Sequence, residues 1–341
     1  MDQYDFIAVG DTVTDAFINI EQANVYKEHD TDKDGIIDEE LCFPNGAKIP
    51  YESVTIIPAV GNAANAAVSA VRLGLKTAFV ADVGNDDAGK EILAALTKQG
   101  VDTRYVRAHD GIPSNYHYVL QHGPERTILI KHQDYPYKLP EQMNVGEPKW
   151  LYFSSVGEDS LNYHIEIAHY LIDHPNVKLA FQPGTFQIKL GKEKLKDLYA
   201  HTEVFFCNVE EARLILSTGE ANPAKLPSMM SAIGPKISVV TDGPRGAYAY
   251  DSYSGKSYFM PAYPDPKPPV SRTGAGDACS STITVALALG KSLEEALQWG
   301  PINSMNVVQH VGAQTGLLTR AELEDLLAKR PEDYFAKEVT I

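Results

Sequence analysis

Arg272-Thr273-Gly274-Ala275-Gly276-Asp277 leads into a run of small and apolar residues, Ala275 to Ala288, that reads as a long helix. Two glycines around an alanine let a backbone approach a ligand closely. Successive N–H groups at a helix start form an anion hole, and the helix dipole adds a favourable field. Asp277 sits among those N–H groups, where a carboxylate could accept a proton from an attacking hydroxyl beside the bound anion. The plainer reading of the same residues is an acidic cap on a helix with a flexible entry.

Two stretches outside this segment share its style. Val60-Gly61-Asn62-Ala63-Ala64-Asn65 opens another helix with small residues, and Asn62 and Asn65 put carboxamides at its entry, a group suited to hydroxyls. Its plain alternative is a tightly packed helix start. Asp15 lies five residues beyond Gly10, after the short apolar run Phe6 to Val9. A carboxylate there can take two hydroxyls of a polyol, or can be a solvated loop group.

The remaining sequence alternates short apolar runs with helical segments. Thr77 to Ala81, Trp150 to Phe153, Lys178 to Phe181, Val204 to Cys207 and Ile237 to Val240 read as buried strands. Ala63 to Leu73, Ala88 to Gln99 and Leu293 to His310 read as helices, the first two closed by Gly74 and Gly100. Tyr116 to Leu120 and Arg126 to Ile130 flank His122-Gly123-Pro124 as a hairpin, and Tyr248 to Tyr250 and Ser257 to Met260 read as a late antiparallel pair. Repeated strand–helix alternation predicts an α/β fold with a mostly parallel sheet covered on both faces. In such sheets ligands bind beyond the carboxyl ends of the strands, which directs attention to the loops after Val9, Cys207 and Val240.

Composition narrows the function. The chain has 341 residues, with 30 Lys+Arg against 45 Asp+Glu and a formal net charge of −15. Such a surface repels phosphate backbones and anionic membranes, so no nucleic-acid or membrane partner is expected. Three widely spaced cysteines, Cys42, Cys207 and Cys279, support neither a disulfide framework nor a zinc site and suit a reducing compartment. The opening MDQYDFIAVGD carries no basic stretch followed by a long apolar run. A cytoplasmic protein is expected.

Taken together in order, these segments resemble the ribokinase-like, or PfkB, family of carbohydrate kinases. Gly10-Asp11 through Asp15 resembles the family's substrate loop. Gly61 to Gly74 followed by Asp82-Val83-Gly84-Asn85-Asp86 resembles its first signature, and Arg272 to Asp277 its second, the most specific of all. Between them Asn208-Val209-Glu210-Glu211 matches an Asn-x-x-Glu element and Thr241-Asp242-Gly243-Pro244-Arg245-Gly246 a nucleotide loop. The resemblance implies a three-layer α/β/α sandwich made by residues 1–16, 58–111 and 136–341. A β-strand lid with an acidic insert would come from 17–57 and 112–135. It implies an ATP-dependent phosphotransferase acting on a hydroxyl of a small sugar, with Mg²⁺ as cofactor.

Asp277 would be the general base, and Gly274, Ala275 and Gly276 the anion hole. Asp15, Gly61, Asn62 and Asn65 would bind sugar. Asn208, Glu211, Thr241, Gly243, Gly246 and Asn303 would serve the nucleotide, with Glu211 reaching the metal through water. No GxxxxGK[ST] is present, so a P-loop enzyme is not indicated.

The sequence also departs from the family pattern. Val60, Val13 and Asn62 stand where the family often has Gly, Asn and Lys, which alters the sugar pocket. Gly312-Ala313-Gln314 resembles a monovalent-cation loop, yet Ser271 replaces the Asp that commonly assists it. Arg126 could reach an anionic substrate group or be an exposed strand residue, and Arg245 and Arg272 are placed to meet nucleotide phosphate. His117, His122 and His132 near the hairpin suit exposure or substrate contact better than metal. Residues 30–38 resemble an EF-hand loop in their first nine positions, but Leu41 occupies the place of the twelfth-position Glu. A homodimer through the lid fits the family, and the longer insert could instead cap the site within one chain. The competing readings are a nucleoside kinase, for which Tyr116, Tyr118 and Phe43 might offer an aromatic slot, and a catalytically silent sugar or nucleotide sensor.

Overall fold

The computed structural model describes residues 3–21, 23–27, 39–123, 125–144 and 147–341. Its centre is β1 (Phe6–Val9), four apolar residues buried on both sides. Phe6 and Ala8 point into one core and Ile7 and Val9 into the other. That split is the strand-level origin of a three-layer sandwich, because a strand buried on both faces must be apolar at every position.

The chain continues through β2 (Val13–Asn19), β3 (Asn24–Lys27), β4 (Glu39–Cys42) and β5 (Ser53–Val60) to α1 (Asn62–Arg72) and β6 (Thr77–Gly84). Next come α2 (Asp87–Lys98), β7 (Asp102–His109), β8 (Tyr116–His122), β9 (Glu125–Leu129), β10 (Trp150–Phe153), α3 (Leu161–Asp173) and β11 (Lys178–Phe181). The short helices α4 (Thr185–Leu190) and α5 (Lys196–Ala200) precede β12 (Thr202–Asn208), α6 (Val209–Leu216), α7 (Leu226–Ser231) and β13 (Ile237–Thr241). The chain ends with β14 (Ala247–Asp251), β15 (Lys256–Met260), α8 (Ala275–Ala288), α9 (Leu293–Val307), α10 (Arg320–Ala328) and β16 (Lys337–Val339).

Ten strands form one sheet in the order β16-β15-β14-β13-β12-β11-β10-β1-β6-β7. The run from β13 to β7 is parallel, and β14 to β16 add antiparallel strands at one edge. Helices α1, α2, α8, α9 and α10 contribute to the core on one face, and α3, α5, α6 and α7 to that on the other. The alanines of α1 (Ala63, Ala64, Ala66, Ala67, Ala70) are fully buried there, so this helix lies close to the sheet and to α8.

A separate four-stranded sheet has the order β5-β2-β8-β9. Its β2–β8 pair is parallel and its outer pairs are antiparallel. It takes in the whole of β2 and β5, including Val13 to Ala16 and Pro58 to Val60, which the sequence reading assigned to the large domain. The β3–β4 hairpin forms a third, two-stranded sheet. The EF-hand-like stretch 30–38 lies outside the described residues. No helix of the described residues is long and apolar enough to cross a membrane, and all three cysteines are free.

Candidate active site

The segment 272–277 makes a tight approach to the end of the molecule that follows α9. Gly274 has φ +83°, and a Cβ there would sit 2.4 Å from the Ala313 Cβ. Only glycine fits this position on both counts. From Gly274 the chain enters α8 with no side chain capping its first turn, and Ala275 N makes only a long 3.4 Å hydrogen bond to the Arg272 carbonyl.

One side of this helix start faces a cleft of about 250 Å³. Thr241, Gly243, Gly246, Arg272, Ala275 and Gly276 line it, as the sequence reading expects, together with apolar Pro301, Met305 and Val308. Its floor includes Cys279, whose thiol burial pushes up to about 12, so it behaves as a small apolar group. Arg245 is exposed and forms two hydrogen bonds to Asp242, at 2.9 and 2.5 Å. Asn303 is a correction. Its side chain is fully buried, donating to Thr282 Oγ1 at 2.8 Å and accepting from Leu318 N at 2.9 Å. On α9 the next residues, Ser304 and Met305, face the cleft instead.

The carboxylate of Asp277 turns the other way, toward α1 and the loop after β11. Oδ1 accepts from Asn62 Nδ2 and from Gln182 Nε2, each at 3.0 Å, and Oδ2 accepts from Asn65 Nδ2 at 2.8 Å. Burial pushes this carboxyl above the ordinary aspartate range, and the three amide donors oppose that shift. Asn65 is itself oriented, because its Oδ1 accepts from Gln314 Nε2 at 3.0 Å. Gly61 caps α1, close against the carbonyl of Asp11.

Asn208 and Glu211 meet each other. The Asn208 side chain accepts from Glu211 N at 2.8 Å, and Glu211 Oε2 accepts from Asn208 N at 2.9 Å, a capping box on α6. Burial raises the Glu211 carboxyl above its ordinary value, and the charges of Asp277 and Glu210 add to the shift.

A second wall comes from the small sheet. Asp15 faces its cross-strand partner His117, with Oδ1 and Nδ1 3.4 Å apart. The His117 and His132 rings lie 5.3 Å apart, and His132 meets Phe186 edge-on at 5.5 Å. Phe186 belongs to α4, on the same loop–helix segment as Gln182. These contacts run from Asp15 to α4, which follows the loop that carries Gln182. Below them Asp11 is buried, accepting from His132 Nδ1 at 2.7 Å and from the Tyr137 hydroxyl at 3.0 Å. Burial raises its carboxyl, and those two donors work against the rise. His122 takes no part, its Nδ1 lying against the Ile20 carbonyl. Arg126 pairs across the sheet with Gln121, next to the hairpin turn.

The structure thus brings Asp277, Asn62 and Asn65 together beside Gly61, sets Asp15 against His117 on the small sheet, and puts the glycine-rich loops on the cleft. The sequence reading passed over Gln182 and Phe186, and it named Asp11 and Gln314 only within their motifs, with no role of their own. Gln182-Pro183 at the carboxyl end of a buried strand was the available signal, since it marks a loop in the position where such sheets bind ligands.

Comparison with known proteins agrees with this arrangement. Residues 51–320 match the pfkB family carbohydrate kinase model. The chain belongs to the pfkB family of carbohydrate kinases. Among its curated relatives, ribokinase of Bacillus subtilis (strain 168) is 28% identical over 275 residues, covering 79% of this chain and 87% of that protein. A 5-dehydro-2-deoxygluconokinase of Bacillus licheniformis is 26% identical over 283 residues, covering 79% and 86%. Similar solved structures include Arabidopsis thaliana ribokinase complexed with ribose and ATP, at TM-score 0.79 and 20% identity over 95% of this chain and 99% of that one. Another is the Methanocaldococcus jannaschii nucleoside kinase, at TM-score 0.75 and 19% identity over 97% and 100%. At these identities the structural matches establish the ribokinase-like fold. Family membership makes the protein a sugar kinase.

Proposed function

We propose that this pfkB-family kinase transfers the γ-phosphoryl group of ATP to a hydroxyl of a small sugar, with Asp277 as general base. The observation that carries the reading is the two-sidedness of the start of α8. Ala275 and Gly276 face the cleft while the Asp277 carboxylate faces α1 and the loop after β11. ATP in the cleft would direct its phosphates at the N–H groups of 274–276. Thr241, Gly243 and Gly246 would sit along its phosphates and ribose, and Arg272 would balance charge. The sugar would lie between Asp277 and the small sheet, held by Asp15, Asn62 and Asn65. Its hydroxyl proton passes to Asp277 as the oxygen attacks the γ-phosphorus. The bond to the β–γ bridging oxygen breaks and ADP leaves. Positioning and charge stabilisation are what such a transfer chiefly requires.

Mg²⁺ suits the donor chemistry. Glu211 commits one oxygen to the α6 cap, and its other oxygen accepts no protein hydrogen bond. Glu211 and Asp277 repel each other, a field that a hard divalent cation would relieve. Among the described residues no three carboxylate, imidazole or thiol groups converge into a direct cage, so the ion would keep its waters and nucleotide oxygens. When bound it neutralises phosphate charge.

The groups named around the pocket are carboxylates, carboxamides, imidazoles and aromatic rings, which suit sugar hydroxyls, and Arg126 Nε, buried without a partner on the same face of the small sheet as His117, would meet an anionic group on an acceptor that carries one. The small sheet would act as a lid that excludes water. Its outer face carries exposed Val54, Ile56, Tyr118 and Leu129, joined to one another through β2 and β8. Apolar exposure of this kind supports a homodimer through the lid, and a monomer in sedimentation at micromolar concentration would argue against it. With ATP as donor, the cytoplasm is the expected compartment.

The deciding experiment is ADP release with Mg-ATP over pentoses, hexoses, sugar acids, sugar phosphates and nucleosides. One strong sugar acceptor is expected. A nucleoside as best acceptor would favour the nucleoside-kinase reading. Silence across the panel with ATP still bound would favour a sensor.

A further inference from the structure

The three amides on Asp277 do not share its oxygens evenly. Each carboxylate oxygen offers two in-plane acceptor sites. Asn62 and Gln182 fill both sites on Oδ1, whereas Asn65 fills one on Oδ2. Only Oδ2 keeps a site for a further donor.

Gln182 can present its NH₂ to Asp277 in one orientation only. Its Oε1 accepts from the Tyr152 hydroxyl and from Ser280 Oγ, the latter at 2.9 Å. A flipped amide would set its oxygen against the carboxylate oxygen 3.0 Å away and turn its NH₂ toward those hydroxyls. The Tyr152 phenol is fully buried, and burial together with the Asp277 charge keeps it protonated and therefore a donor. The backbone of Gln182 is fixed as well. Its N donates to the Phe153 carbonyl at 3.0 Å, and its carbonyl accepts from Ser154 Oγ at 2.7 Å. Ser280 Oγ also lies 2.8 Å from the Gly276 carbonyl, so the same hydroxyl touches the anion-hole turn.

We propose that Gln182, held by Tyr152 and Ser280, is a positioning residue that closes Oδ1 of Asp277 and leaves Oδ2 as the atom that takes the proton of the acceptor hydroxyl. The proposal rests on the kinase reading given above and adds which oxygen reacts and what sets its basicity. The amide N–H stabilises the charged carboxylate, so it holds the base ionised to lower pH than burial alone allows. The titratable groups facing Asp277 are Glu211 from the start of α6 and Tyr152 from β10. The contacts from α1 and from the loop after β11 are carboxamides.

The test is the pH profile of kcat/KM for the accepted sugar in the wild type, Gln182→Ala, Gln182→Glu and Tyr152→Phe. Gln182→Ala should lower kcat about tenfold or more, leave both KM values within about threefold, and move the acidic limb upward by about one pH unit. Gln182→Glu should move it further, because two adjacent carboxyl groups would share a proton. Tyr152→Phe should give a smaller shift of the same sign, since Ser280 still holds the amide. A fall in kcat with an unmoved acidic limb in both Gln182 variants assigns Gln182 a structural role and overturns the proposal. Should those variants fail to fold, as judged by thermal melting and ATP binding, an unmoved limb in Tyr152→Phe overturns it equally. A wild type inactive on every acceptor is a different result, which removes the kinase reading and this proposal with it.

Discussion

The two walls of the pocket are finished to different degrees. Around Asp277 the polar groups are closed on one another: the carboxylate takes three amides, and the Gln182 and Asn65 oxygens are taken in turn. On one face of the small sheet, Asp15 Oδ1, His117 Nε2 and Arg126 Nε are buried without a hydrogen-bond partner. A buried polar atom left open costs stability, so three on one face suit the polar groups of a ligand. On the kinase reading proposed above, the first wall would serve a fixed chemical step and the second recognition of the acceptor.

The sharpest way to break this comparison is Asp277→Asn. Loss of a general base should cut kcat by roughly 10²–10⁴-fold with ATP still bound, and unchanged turnover in a stopped assay would remove Asp277 from the chemistry.

His164 supplies a control for open buried atoms. Its Nε2 also lacks a partner, but the ring is packed against Phe153 in the core and lines no part of the pocket. Burial holds this imidazole at about 4, below its usual 6.5. The unfolded chain then takes up the proton first. Stability is full above pH 6.5 and declines as pH falls toward 4, by about 3 kcal/mol from this group. Urea melts at pH 7.5 and 5 should show the decline, and His164→Phe should flatten it. An equal slope in the variant would assign the acid sensitivity elsewhere.

Asp15→Ala should raise the sugar KM by about 10–100-fold while the ATP KM stays within about twofold. Equal effects on both would move Asp15 out of the recognition wall. The smallest expected effect is on folding: His117→Phe removes an unpartnered atom and should leave the melting free energy within about 1 kcal/mol, even as it weakens sugar binding. A large destabilisation would mean that His117 is structural.

Much of this was readable from the chain, and the boundary has a physical basis. Helix α8 spans Ala275–Ala288 as expected because an uninterrupted run of small and apolar residues follows a glycine that only a turn could use. The buried strands were legible because four consecutive apolar residues between turns have few other solutions. Asn303 was misplaced because adjacent residues on a helix point about 100° apart, so a one-position difference exchanges the cleft for the core. Gln182 was passed over because, although Gln182-Pro183 marked its loop, its role depends on hydroxyls from β10 and α8, far away in sequence. In the small sheet, β2 starts at Val13 and β5 runs to Val60 because these strands continue past the point where composition changes.

The most direct test of the account is a crystal structure with the best sugar acceptor and a non-hydrolysable ATP analogue. It should place one sugar hydroxyl within hydrogen-bond distance of Asp277 Oδ2, facing the γ-phosphate, with other hydroxyls on Asp15 Oδ1 and His117 Nε2. A sugar bound away from both walls, or one that leaves those small-sheet atoms open, would contradict it.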